Sequence, residues 1–73
     1  MKMQKVKSST IESVGHNPDT NTLRVRFNNG VEYDYANVNA EQHAAFIGAE
    51  SVGSHFHANI KGKFEHTKLE RKD

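Results

Sequence analysis

The stretch Leu23 to Tyr35, LRVRFNNGVEYDY, restricts the fold of this chain more than any other. Leu23, Val25 and Phe27 alternate with Arg24 and Arg26. After Asn28-Asn29-Gly30, the apolar Val31, Tyr33 and Tyr35 alternate with Glu32 and Asp34. Period-two alternation on both sides of a glycine turn marks two half-buried antiparallel strands. Turn length sets their register. A two-residue Asn29-Gly30 turn would place Phe27 opposite Glu32 and Arg26 opposite Tyr33, mixing charge with apolar groups on both faces. A three-residue Asn28–Gly30 loop, with Gly30 left-handed in a G1 bulge, places Phe27 opposite Val31, Val25 opposite Tyr33 and Leu23 opposite Tyr35. Arg26 then meets Glu32 and Arg24 meets Asp34 on the other face, each pair worth roughly 0.2–1 kcal/mol. The three-residue loop is the expectation, because a one-residue slip would bury charge.

The flanking segments extend this hairpin. Ser8 to His16, SSTIESVGH, reads as a first strand with Ile11 and Val14 as its apolar contacts. Their odd spacing breaks alternation and points to a bulge near Ser13. Asn17-Pro18-Asp19-Thr20-Asn21 is a turn: proline presets φ, and Asn and Asp side chains bond their own backbone. The strands expected are therefore Ser8–His16, Thr22–Asn28 and Val31–Asn37. The period then changes. Asn39 is an N-cap with Gln42 three residues on, the pattern of a capping box. A helix is expected over Ala40–Ala49, with His43, Phe46 and Ile47 on one stripe. Ser51 caps a second helix in which Val52, Phe56 and Ile60 lie four apart, and Gly62 is its stop. The expected fold class is α+β: a three-stranded antiparallel β-meander with two short helices packed on one face. The chain divides into a flexible basic N-terminus (1–7), the domain itself (8–64) and a charged C-terminal tail (65–73). For that tail, fraying, an edge strand through Thr67 and Leu69, and a partner-binding segment stay open. Phe64 tucks back onto the core.

Size and charge narrow the functional classes. A chain of 73 residues makes one domain with a thin core. It has no cysteine, hence no disulfide and no thiolate metal site, which fits a reducing cytoplasm. No apolar run approaches the ~20 residues of a membrane span, so no membrane partner is expected. Net charge is +1 but uneven: residues 1–10 carry +3, residues 11–60 carry −4 and residues 61–73 carry +2. Basic ends around an acidic middle suit either solvated termini or contact with nucleic acid. The five histidines, His16, His43, His55, His57 and His66, show no metal-ligand spacing, so no metal and no cofactor is expected and the histidines read as surface groups. Serine, histidine and aspartate occur without a nucleophile elbow or triad context, so the chain does not read as an enzyme.

Three sets of residues are candidates for binding. Tyr33 and Tyr35 face the core in the register above, each with a hydroxyl at the rim. They serve either as packing or as a stacking platform for bases. Ser51-x-Gly53 opens the second helix with free amides and hydroxyls of the kind that hold a phosphate or carboxylate, although no Gly-Lys-Ser/Thr follows as in a Walker loop. Lys61 and Lys63, with Lys7, are candidate phosphate contacts, whereas Arg24 and Arg26 are engaged by Asp34 and Glu32.

Taken together these residues resemble the KTSC domain, a short module found at the C-terminus of some lysyl-tRNA synthetases and as free-standing small bacterial and phage proteins. The likeness runs from about Ser8 to Lys61. It rests on Ser8-Ser9 with Ile11, Val14-Gly15, Leu23-x-Val25-x-Phe27, Gly30 followed by Tyr33-Asp34-Tyr35, Ser51-x-Gly53, Phe56 and Ile60-Lys61. The family pattern has tyrosine where His16 and His55 stand and asparagine where His57 stands, so a ligand surface there would differ in chemistry. The domain is generally of unknown function, and its link to a tRNA synthetase implies RNA binding; with the residue reading above, the expectation is a non-catalytic cytoplasmic binding module for RNA or single-stranded nucleic acid. Its site would draw on Tyr33, Tyr35, Ser8, Ser9, Ser51, Gly53 and Lys61. The alternatives are a protein-interaction or inhibitor module, phage-encoded and acting on a host or partner protein, and a cleft that captures a small anionic ligand such as a nucleotide.

Overall fold

Backbone pairing makes the hairpin the middle of a five-stranded antiparallel sheet. The computed structural model describes residues 2–69. Its elements are β1 (Met3–Lys5), β2 (Ile11–Asn17), β3 (Thr22–Phe27), β4 (Glu32–Tyr35), α1 (Ala40–Ile47), α2 (Val52–His55) and β5 (His66–Leu69). α2 runs straight into a wider π-helical turn, Phe56–Ile60. The strands lie side by side in chain order, β1 to β5. Met1, and residues 70–73 of the tail expected over 65–73, lie outside the described residues.

The hairpin has the register that charge separation demands. Leu23 faces Tyr35, Arg24 faces Asp34, Val25 faces Tyr33 and Arg26 faces Glu32. The Phe27 N–H donates to Val31 O at 2.9 Å, and Gly30 closes the loop at φ +89°. The charged face carries Arg24 on both Asp34 oxygens at 2.8 and 3.0 Å, and Arg26 on Glu32 and, at 3.6 Å, on Glu12. The odd spacing in β2 is a bulge: Ile11 faces Phe27 but Ser13 already faces Arg26, leaving Glu12 as the extra residue.

The expectation of three strands is corrected to five. β1 is Met-Gln-Lys and β5 is His-Thr-Lys-Leu, and most of their side chains are exposed. An edge strand needs backbone pairing with one neighbour rather than two apolar contacts, so it carries no alternation to read. Met3–Lys5 pairs with Gly15–Ser13, and His66–Leu69 pairs with Tyr35–Glu32. Both strands fall in stretches assigned above to a basic terminus and a tail. β2 also starts later than Ser8, because the Ser8 hydroxyl accepts the Thr10 and Ile11 N–H groups at 3.1 and 3.2 Å and turns the chain into the strand.

The helices follow their caps. Asn39 and Gln42 make the reciprocal capping box at 2.8 and 3.0 Å. The Ser51 hydroxyl accepts the Ser54 N–H at 3.4 Å. The second helix is not α-helical throughout: the Lys61 N–H reaches back five residues to Phe56 O at 2.8 Å. Gly62 follows at φ +78°. Both segments cover one face of the sheet. The core between the layers holds Ile11, Val14, Leu23, Val25, Tyr35, Val38, Phe46, Val52, Phe56 and Ile60, with Phe64 packed at its edge.

Candidate functional site

The period of two that puts Tyr33 and Tyr35 on the helix-facing side of β4 also aims them at the π-helical turn. Phe56, from that turn, meets the Tyr35 ring edge-on at 5.6 Å and Phe27 at 5.4 Å. Phe27 in turn meets Tyr33 edge-on at 5.7 Å. His66 of β5 sits opposite Tyr35 and lies 5.5 Å from the Tyr33 ring and 5.6 Å from the Tyr35 ring. Edge-to-face contacts of this kind fix ring positions, beyond the area they bury. The rings line a cleft of about 330 Å³, completed by Thr10, His57, Lys61 and Gly62. The wide turn places His57 and Lys61, four residues apart, together on its rim. π-Helical turns of this sort occur often at functional sites.

The two tyrosines are not equivalent. Tyr35 is 4% exposed, and burial, with Tyr33 beside it, pushes its hydroxyl up to about 12. Its ring is packing. Tyr33 is half-buried and keeps part of its ring available in the cleft. Among the described residues the lining carries no carboxylate: Lys61, His57 and His66 are its chargeable groups besides the tyrosines.

A second hollow, of about 390 Å³ and mainly polar, adjoins the cleft. Lys7, Ser8, Ser9 and Thr10 line one side, and Glu50, Ser51, Val52, Gly53, Ser54 and His57 line the other. Thr10 and His57 belong to both cavities. The Ser8 turn and the start of α2 approach closely, so that a Cβ on Gly53 would lie 3.3 Å from the Ser8 hydroxyl oxygen. The candidate residues therefore fall into two adjoining groups. Tyr33, Tyr35 and Lys61 line the aromatic cleft, while Ser8, Ser9, Ser51 and Gly53 line the polar hollow. Lys63 lines neither cavity.

Sequence reasoning missed His66, His57 and Thr10 as members of the site, and took Phe27 and Phe56 as core alone. Seeing His66 there requires its pairing partner Tyr35, and no local pattern announces that pairing. The reading of the histidines as surface groups also needs correction. His16 and His43 are half-buried and stacked, with centroids 4.9 Å apart. The His16 Nε2–H donates to Val38 O at 2.6 Å, the direction a carbonyl acceptor requires. Among the described residues no three His, Cys, Asp or Glu side chains converge as metal ligands.

Comparison with known proteins places this arrangement among relatives. A model of the KTSC domain matches residues 7–64. An uncharacterized protein of Stutzerimonas stutzeri is 36% identical over 61 residues, which cover 84% of this chain and 86% of the relative. A lysine–tRNA ligase of a Nostoc species is 34% identical over 65 residues, 89% of this chain but 12% of the ligase. The crystal structure of a KTSC domain protein from Yersinia pestis superposes with a TM-score of 0.89 at 38% identity, covering 94% of this chain and 97% of that one.

Proposed function

The chain belongs to the KTSC domain family, and on that premise we propose that it is a non-catalytic cytoplasmic binding module for RNA or single-stranded nucleic acid. The observation that carries this reading is the aromatic cleft with Lys61 on its rim and no carboxylate among the described lining residues. A half-exposed tyrosine offers a face on which a base of any identity stacks, and a lysine beside it offers a phosphate contact. An aromatic cage also suits a quaternary ammonium ion. Lys61 at the rim opposes a cation and favours an anion. A relative named as a lysine–tRNA ligase carries a similar segment, which supports RNA as the partner. Among the described residues no helix is long and apolar enough to cross a membrane.

The test is calorimetric titration of single-stranded RNA at low salt. Tyr33→Leu keeps an apolar side chain but removes the stacking face, and is expected to weaken binding by about 1–3 kcal/mol. Lys61→Glu is expected to weaken it as well. No detectable binding by the wild-type chain at low salt defeats the proposal.

A protein-interaction or inhibitor role is the second reading, and it rests on β5. No strand pairs with its outer side among the described residues, and an extended partner segment could add there through main-chain hydrogen bonds. A strictly monomeric protein that retains no partner in pull-downs counts against it.

A further inference from the structure

We propose that the cleft and the polar hollow beside it act as one site for a single nucleotide unit, with the base in the cleft and one phosphate in the hollow. This rests on the nucleic-acid reading above, in that it takes the occupant of the cleft to be a base. Three observations carry it. The first is size: about 330 Å³ is at the small end of ligand cavities, and Tyr35 and Phe56 are already packed against each other, so one ring system fits where a run of stacked bases does not. The second is continuity: Thr10 and His57 are shared, so a group leaving the cleft past them enters the hollow directly. The third is charge. Lys7 and His57 flank the hollow on opposite sides and are exposed, as are the Ser9 and Thr10 side chains.

At the start of α2 the cap takes up the Ser51 hydroxyl and the Ser54 N–H, because Ser51 donates to Ser54 Oγ and accepts the Ser54 N–H. The phosphate contacts are assigned instead to Lys7, Ser9, Thr10 and His57. Glu50 lines the hollow but not the cleft. One phosphate is matched by Lys7, whereas a second in the same hollow would meet that carboxylate. The site is therefore built for a phosphate that ends the molecule, either a strand terminus or a free mononucleotide, rather than for a phosphodiester passing through.

Calorimetry on the full chain separates these cases. The probes are one short oligoadenylate with a 5′-phosphate, with a 3′-phosphate, with hydroxyls at both ends and as a closed circle, together with free adenosine monophosphates. One phosphorylated form is expected to bind about tenfold tighter than the hydroxyl-ended strand, the worth of one charge-assisted contact. Lys7→Ala, an exposed substitution, is expected to erase that difference. Tight binding of a monophosphate with no binding of any strand supports the single-unit site and overturns the nucleic-acid reading. Equal affinity for all four strands, the circle included, overturns the single-unit site and leaves the nucleic-acid reading standing. If no probe binds, both fall.

Discussion

Two residues test the local physics most directly. Gly30 sits at φ +89°, and a Cβ built there would find no atom within 4 Å. The cost of a side chain is therefore conformational rather than steric. Gly30→Ala is expected to lower stability by about 1–2 kcal/mol, the penalty of a left-handed residue with a Cβ. The denaturant midpoint should fall with the slope unchanged; an unaltered midpoint would mean that the loop relaxes to another turn. His43 tests burial of a titrating ring. Its Nε2 is buried without a partner, and its ring lies flat on His16. Burial first, and His16 second, hold its pKa below the ordinary histidine value. The unfolded chain then takes up the proton before the folded one does. Stability from this group is complete above the ordinary value and is lost as pH falls through the lower, folded one. His43→Phe keeps a stacked ring and removes both the titration and the orphan nitrogen. Its stability is expected to fall less than wild type between about pH 7 and pH 5. Equal slopes in chemical denaturation would show that His43 is not the group responsible.

At the scale of elements, the edge strand β5 supplies one wall of the candidate site, and its hold on β4 is backbone. Ala36 N–H donates to Glu65 O at 2.9 Å. Antiparallel ladders alternate, so the next mutually bonded pair is Asp34 with Thr67, and Tyr33 with Lys68 is a non-bonded pair. Proline lacks the N–H, so Thr67→Pro is expected to free β5 while Lys68→Pro leaves it paired. With two tyrosines and no tryptophan, tyrosine emission reports the result: acrylamide should quench Thr67→Pro more than Lys68→Pro or wild type. Equal quenching in both variants would place the ladder in the other phase. This strand also shows where the sequence stops being legible. β3 and β4 were readable because each has a buried and a charged face, and only one loop length keeps those faces separate. The Asn39 and Ser51 caps were readable because their bonds are local. β5 was legible only as one of three readings of the tail, an edge strand through Thr67 and Leu69, since His66-Thr67-Lys68-Leu69 has no face to bury and finds its place only once Tyr35 is there to pair with. The π-helical turn was invisible for a related reason. Phe56 and Ile60, four apart, suit α- and π-helix alike, and the bond from Lys61 back to Phe56 is chosen by tertiary packing. Half of the candidate site was therefore nameable as residues, Tyr33, Tyr35 and Lys61 or Ser8, Ser9, Ser51 and Gly53, without their division into two adjoining cavities.

For the whole molecule, the distribution of charge decides how nucleic-acid binding should respond to salt. Net charge is only +1. Arg24 and Arg26, the two cations of β3, are engaged by Asp34, Glu32 and Glu12 on the face away from the helices. On the proposed reading, the phosphate contacts are a few groups around the cavities, Lys61, Lys7 and His57. Each phosphate neutralised on a single strand contributes about −0.7 to the slope of log K against log salt. Two to three such contacts give a slope of about −1.4 to −2.1. Lys61→Ala should make that slope shallower by about 0.7, whereas Arg24→Gln should leave it unchanged, because its charge already belongs to Asp34. Calorimetric titrations of one oligonucleotide across a salt series measure all three slopes. A wild-type slope steeper than about −4 would demand more phosphate contacts than these cavities supply. The binding surface would then have to be sought outside the cleft and the hollow.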